Sequence, residues 1–219
     1  MIIELLKENN WKRPIYFASS IGGEYLGLTD HFERTGMAYQ VLPVGVKGAG
    51  AGVNSDEMYT NMMTKFRYGN IADPKVYLDE NTLNMCYMHR EMFVYLIGAL
   101  IDKGDTVRAR KALDYCNKVI PGSTVRHNYI SLQLADYYYK VHEPANGNAI
   151  MDALANDCVE NLDWYLGMDR DQIIGVSNQI KQNFAILYQV LHTCDQEKQK
   201  TIIDKYMPRY MEFTKRVSM

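Results

Sequence analysis

Residues 93–122 read FVYLIGALIDKGDTVRARKALDYCNKVIPG. Phe93, Leu96, Ile97, Leu100 and Ile101 recur at i, i+3, i+4, i+7 and i+8. That spacing lines apolar side chains along one face of an α-helix. Lys103-Gly104-Asp105 interrupts the pattern, and Ala109, Ala112, Leu113, Cys116 and Ile120 form a second stripe closed by Pro121-Gly122. Two helical stripes joined by so short a break predict an αα-hairpin with a tight turn.

The same period continues towards the C-terminus. A second pair is predicted from Ile130, Leu134, Tyr138 and Val141, a turn at HEPANGN (142–148), then Ile150, Leu154, Cys158, Leu162 and Tyr165. A third carries Val176, Ile180, Phe184, Leu187 and Leu191, then Ile203, Tyr206, Tyr210, Phe213 and Val217. Pro208 lies inside the last helix, where a missing N–H predicts a kink or a split. Before residue 80 the pattern is mixed. Residues 2–9 predict a short helix, PIYFAS (14–19) a strand, and MAYQVLPV (37–44) a second strand. LTDHFERTG (28–36) predicts a short helix with Thr29 or Asp30 as N-cap and Gly36 as its stop. Asn54 and Glu57 stand like a capping box for a helix over 56–66, and 67–81 reads as loop. The expected organisation is a small α/β segment over 1–80 followed by helical hairpins over 81–219.

The first pair resembles a tetratricopeptide repeat: Phe93 takes the usual Trp position, Leu96 and Leu100 the next large ones, and Ala109, Leu113 and Cys116 the small and apolar positions of the second helix. The other pairs fit more loosely. The fold class expected is mainly α, a tetratricopeptide-like hairpin array preceded by the small α/β segment.

Composition excludes several functions. Of 219 residues, 47% are apolar, which argues against disorder, and the net charge is −2 with no long basic run. Clustered Lys and Arg for nucleic-acid phosphates are therefore missing. The longest apolar run, FVYLIGALI (93–101), falls far short of the roughly 20 residues that cross a bilayer. MIIELLKENN carries Glu4 and Lys7 where a secretory signal would be apolar. Cys86, Cys116, Cys158 and Cys194 have no CxxC spacing and are expected as buried free thiols.

Catalytic motifs are equally scarce. GVKGAGAG (45–52) sits between strand and helix as a phosphate loop would, but it matches neither GxxxxGK[ST] nor GxGxxG. Asp56 and Glu57 at the following helix start would repel phosphate, so a connector is expected. The five histidines form no HxxxH or HExxH, and no GxSxG occurs. No metal and no cofactor are expected. Asp30 and Glu33 in DHFE could pair for acid–base work, although a capping role is favoured. Tyrosine is abundant, 17 residues, and YYY spans 137–139; Tyr138 is expected in the core with its neighbours at the rim.

The most specific phrases are NNWKRPIYFA (9–18), YLGLTDHFERTGMAYQVLPV (25–44), MYTNMMTKFRYGNIADPKVYLDEN (58–81) and NQIKQNFAILYQVL (178–191). They resemble the C-terminal part of a family of large multi-pass membrane proteins common in Bacteroidetes, whose membrane half is similar to protein O-mannosyltransferases. The resemblance implies that Trp11-Arg13-Pro14 lies just after a membrane region rather than at a natural start. It implies an extracytoplasmic tail of a glycosyltransferase that recognises a protein acceptor or partner. No catalytic residue transfers, because the enzyme half is missing. Trp11, Arg13 and Tyr16 are the first candidates for a binding surface. The competing reading is that Trp11 anchors the segment and Arg13 pairs with an acid. Asp30 and Asp79 are the further candidates. The alternative to the whole reading is a stand-alone cytoplasmic adaptor built on the helix pairs.

Overall fold

The structure, a computed structural model, describes residues 2–19, 27–46 and 52–217. It is mainly α, with a small three-stranded antiparallel sheet near the N-terminus. The chain forms two compact units, Met1–Thr124 and Val125–Met219. The first hairpin thus belongs to the N-terminal unit, although the change of sequence pattern comes near residue 80. Ser20, Tyr25, Leu26 and residues 47–51 of the glycine-rich stretch lie outside the described residues.

In the N-terminal unit, helix α1 (Ile2–Asn9) precedes strand β1 (Tyr16–Ala18). A single 3₁₀ turn (Thr29–His31) leads into β2 (Phe32–Arg34), and β3 (Ala38–Val41) follows. The sheet order is β1-β3-β2, with Phe17 opposite Tyr39, Phe32 opposite Val41 and Arg34 opposite Tyr39. The helix expected over 28–36 therefore stops after one turn. No side chain caps it, because the residue at the N-cap position is Leu28. Phe32 and Arg34 are buried while Glu33 between them is half-buried, a period of two that belongs to a strand. Gly36 is not a helix stop but the hairpin turn. Its φ is 143°, and a Cβ there would stand 2.9 Å from the Phe66 ring.

Helix α2 (Ser55–Thr60) is capped by Asn54, whose side chain accepts from the Glu57 N–H at 3.0 Å. The helix expected to run on to 66 widens instead into a π turn over Asn61–Lys65. The cause is local. The Tyr68 hydroxyl donates to the Met62 carbonyl at 3.1 Å, and the Phe66 N–H reaches back one residue further, to Asn61, at 2.9 Å. Residues 67–79 form no helix or strand, as expected. Asp79 then caps α3 (Glu80–Asp102), and α4 (Thr106–Val119) follows through Gly104, whose φ of 75° makes the tight turn. Phe93, Leu96, Ile97 and Leu100 are fully buried, with Ala109, Ala112, Leu113 and Cys116 from α4. Three small residues on α4 let the two helices approach closely.

The C-terminal unit contains α5 (Tyr129–Lys140), α6 (Pro144–Leu166), α7 (Arg170–Gly175), α8 (Ser177–Gln196) and α9 (Lys200–Val217). Helix α6 is central and packs on α5, α8 and α9. The turn expected over 142–148 is only His142-Glu143. Pro144 opens α6, where its missing N–H costs nothing. Gly147 lies inside that helix, and a Cβ on it would sit 2.7 Å from the Tyr139 ring. Both Tyr138 and Tyr139 are buried, which corrects the expectation that Tyr138 alone is core. The Tyr139 hydroxyl is satisfied by Asn148 Oδ1 at 2.8 Å. Helix α7 was not anticipated; an Asp169–Gln172 capping box starts it. Pro208 does not split α9, which is one element from Lys200 to Val217. Among the described residues, no helix is long and apolar enough to cross a membrane.

Candidate functional site

The residues singled out in the sequence are placed as follows. Asn10 and Trp11, just past α1, have φ of 45° and 58°, and Asn9 Nδ2 closes the turn on the Arg13 carbonyl at 2.7 Å. Trp11 and Tyr16 are 45% and 47% exposed, and Arg13 is exposed. Arg13 makes no ion pair among the described residues. Asp30 is exposed in the 3₁₀ turn, where its carbonyl accepts from the Val46 N–H at 2.8 Å. Glu33, expected to pair with Asp30, instead accepts from Asn54 Nδ2 at 3.0 Å. Asp79 is a helix cap. Its carboxylate accepts from the Thr82 N–H at 2.7 Å, and hydrogen bonds from Thr82 hold it below its ordinary pKa. No hydrogen bond, ion pair or ring contact joins Trp11, Arg13, Tyr16, Asp30 and Asp79 to one another among the described residues. A hollow of about 390 Å³ beside Asp79 is lined by Tyr77, Leu78, Leu83 and Thr124, and no carboxylate faces it.

Reactive side chains are quiet. All four cysteines are free and buried. Burial pushes the Cys116 and Cys158 thiols up to about 12 and Cys194 to about 11, far from thiolate character at neutral pH. Burial lowers the pKa of His89, which lies 5.5 Å from the Tyr68 ring and 6.1 Å from Phe66, with Nδ1 buried and unpartnered among the described residues. Arg34 is likewise occupied by its neighbours. Its guanidinium lies 3.9 Å from the Tyr95 ring and 4.5 Å from Tyr39, hydrogen-bonds the Tyr39 hydroxyl, and donates to Met92 Sδ at 2.9 Å. That cation ties the sheet to α3. Among the described residues, no three His, Cys, Asp or Glu side chains cluster as a metal site would require.

The feature that stands out lies in the C-terminal unit. Helices α5 and α8, the first helices of their hairpins, bound a hollow of about 370 Å³ lined by Tyr129, Gln133, Asp136, Gln189, Thr193 and Gln196, with Leu132. Tyr129, Gln133 and Asp136 stand at i, i+4 and i+7 on α5. Gln189, Thr193 and Gln196 stand at the same spacing on α8. Each set is therefore one helical stripe, and the two face a common hollow. Gln133 Nε2 donates weakly to Asp136 Oδ2 at 3.3 Å, and Gln189 Nε2 to Thr193 Oγ1 at 3.3 Å. Asp136 is also paired with Lys140 at 2.8 Å. Three carboxamides that both donate and accept match the alternating N–H and C=O of an extended peptide. Tyr129, 59% exposed, adds an aromatic edge. No nucleophile and base are hydrogen-bonded to each other among its lining residues. None of these residues was singled out from the sequence, yet the matched polar stripes opposite the apolar ones were a readable signal.

A family model described as TMEM260-associated domain 2 matches residues 1–62. By its description, that family is associated with a membrane protein. No curated protein and no solved structure matches the chain.

Proposed function

We propose that this chain is a non-catalytic recognition domain of a membrane-linked protein, and that the α5–α8 groove takes an extended segment of a protein acceptor or partner. The observation that carries the reading is the pair of polar stripes at i, i+4 and i+7 facing one hollow. The match of residues 1–62 to a membrane-protein-associated domain supports the link to a membrane. The finer reading takes the parent as a glycosyltransferase resembling protein O-mannosyltransferases. The domain then lies on the extracytoplasmic face of the membrane, its tetratricopeptide-like hairpins positioning the acceptor. Trp11, Arg13 and Tyr16, exposed beside one another in sequence, are proposed as a second contact surface near the bilayer. Two experiments test this reading. Blotting fractionated cells should give a band well above 25.3 kDa in the membrane fraction. A soluble band near that mass would favour the stand-alone adaptor. The isolated domain should have no transferase activity, and a parent lacking residues 125–217 should transfer poorly. Full transfer by that truncated parent would overturn the role.

A further inference from the structure

In the C-terminal unit, a second hollow of about 590 Å³, open to solvent on one side, is lined by the last turn of α6, α7, the start of α8 and the end of α9. Its size is that of a small-molecule site. Leu166, Ile173, Ile180 and Val217 give it an apolar lining, and Arg170, Ser177, Lys181 and Arg216 complete it. No carboxylate is among its lining residues. Arg170 and Lys181 make no side-chain hydrogen bond or ion pair among the described residues. Arg216 Nη2 donates to the Leu166 carbonyl at 3.0 Å, which satisfies the end of α6. Its Nη1 is 3.7 Å from Asp163, but Asp163 already accepts from Arg209 at 2.5 Å through both oxygens. The acids of α7 do not answer these charges: Asp169 is spent on its capping box, and Asp171 does not line the hollow. Helix α8 also begins here without a side-chain cap, so its first backbone N–H groups add positive potential.

An apolar hollow with Arg170 and Lys181 unpaired among the described residues, Arg216 only loosely paired to Asp163, and no acid in its lining is complementary to an anionic amphiphile. We propose that it binds a free single-chain amphiphile with an anionic head, its tail against Ile173 and Ile180 and its head between Arg170, Lys181 and Arg216. The carboxylate or phosphate head supplies the charge the cations lack, and the tail removes apolar surface from water. The site shares no residue with the groove and does not depend on it.

Isothermal titration of the whole chain with decanoate, below its micelle concentration, is the test. Binding at one site per chain is expected. Arg170→Gln with Lys181→Gln, both exposed positions, should weaken it about tenfold or more while the circular dichroism stays unchanged. Gln189→Ala in the groove should leave it alone. Decanol should bind weakly and decyltrimethylammonium not at all. Inorganic phosphate alone should also be weak. Equal binding of decanol, or undiminished binding by the double variant, would overturn the proposal. So would binding only to phosphatidylserine vesicles, which would assign the cations to a membrane surface instead.

Discussion

Residues 27–46 with 52–68 and residues 125–217 combine apolar burial and polar ties on different scales. The helical stretch is joined by apolar faces: Leu134, Leu154, Leu162 and Leu187 are buried on α5, α6 and α8, and Tyr138 fills the space between. The earlier stretch buries a smaller apolar set, Phe32, Val41, Met58 and Met62, and adds polar ties between residues far apart in sequence. Asn61 Nδ2 donates to the Thr35 carbonyl at 2.8 Å and Asn54 Nδ2 to Glu33 at 3.0 Å, while Lys103 Nζ, at the end of α3, reaches Ser55 Oγ at 2.8 Å. Apolar faces are tolerant of small errors and strong in sum. Polar ties are individually modest and unforgiving when one partner is removed.

Four substitutions sharpen that contrast. The largest effect is expected for Leu162→Ala, which empties a fully buried position on α6; urea denaturation should show a loss of about 2–5 kcal/mol. Gly147→Ala puts a Cβ against the Tyr139 ring and the Ala135 carbonyl, so α5 and α6 must move apart. A loss of about 1–3 kcal/mol is expected, and Tyr139→Leu in the same chain should recover part of it. Asn61→Ala leaves the Thr35 carbonyl without its donor and should cost about 1–2 kcal/mol, read by hydrogen exchange confined to the Thr35–Ala38 turn. If it loosens the C-terminal unit equally, the contrast fails. Asp56→Asn breaks an exposed pair with Arg108 and should change stability by only a few tenths of a kcal/mol.

Two groups of the N-terminal unit answer pH in different ranges. His89 has its pKa lowered by burial, so the unfolded chain binds its proton more readily than the folded one. Stability of the N-terminal unit should therefore fall as pH drops below 6.5, by no more than about 1.4 kcal/mol per pH unit. His89→Phe should remove this dependence, as thermal melts at pH 7 and pH 5 would show. Asp56 acts at lower pH. Its carboxylate is held below its ordinary value by Arg108, so its small contribution persists at neutral pH and is lost as pH falls below 3.8.

The difference explains what could be read from sequence. Phe93, Leu96 and Leu100 announced their helix because packing and period speak through the same residues. The strand at Phe32–Arg34 was misread as helix because its evidence, the pairing with Val41 and Tyr39, lies several residues away in β3. The π turn depends on a hydroxyl six residues from the carbonyl it captures, and no local period encodes that. The starts of α6 and α7 turn on capping: Pro144 sits in a stretch whose composition reads as turn, and the Asp169–Gln172 box opens α7. In the groove, the polar stripes lie on the same helices as stronger apolar ones. Gln189, Thr193 and Gln196 share the period of Ile180, Leu187 and Leu191 on the same helix, and only the fold sets them opposite Gln133.

The most direct test of the proposed recognition role is a kinetic split in the proposed transferase parent. Gln133→Arg with Gln189→Arg should raise the KM for the protein acceptor about tenfold while kcat stays unchanged, since lost binding away from the reacting atoms is uniform. An unchanged KM, or a fall in kcat at constant KM, would contradict it.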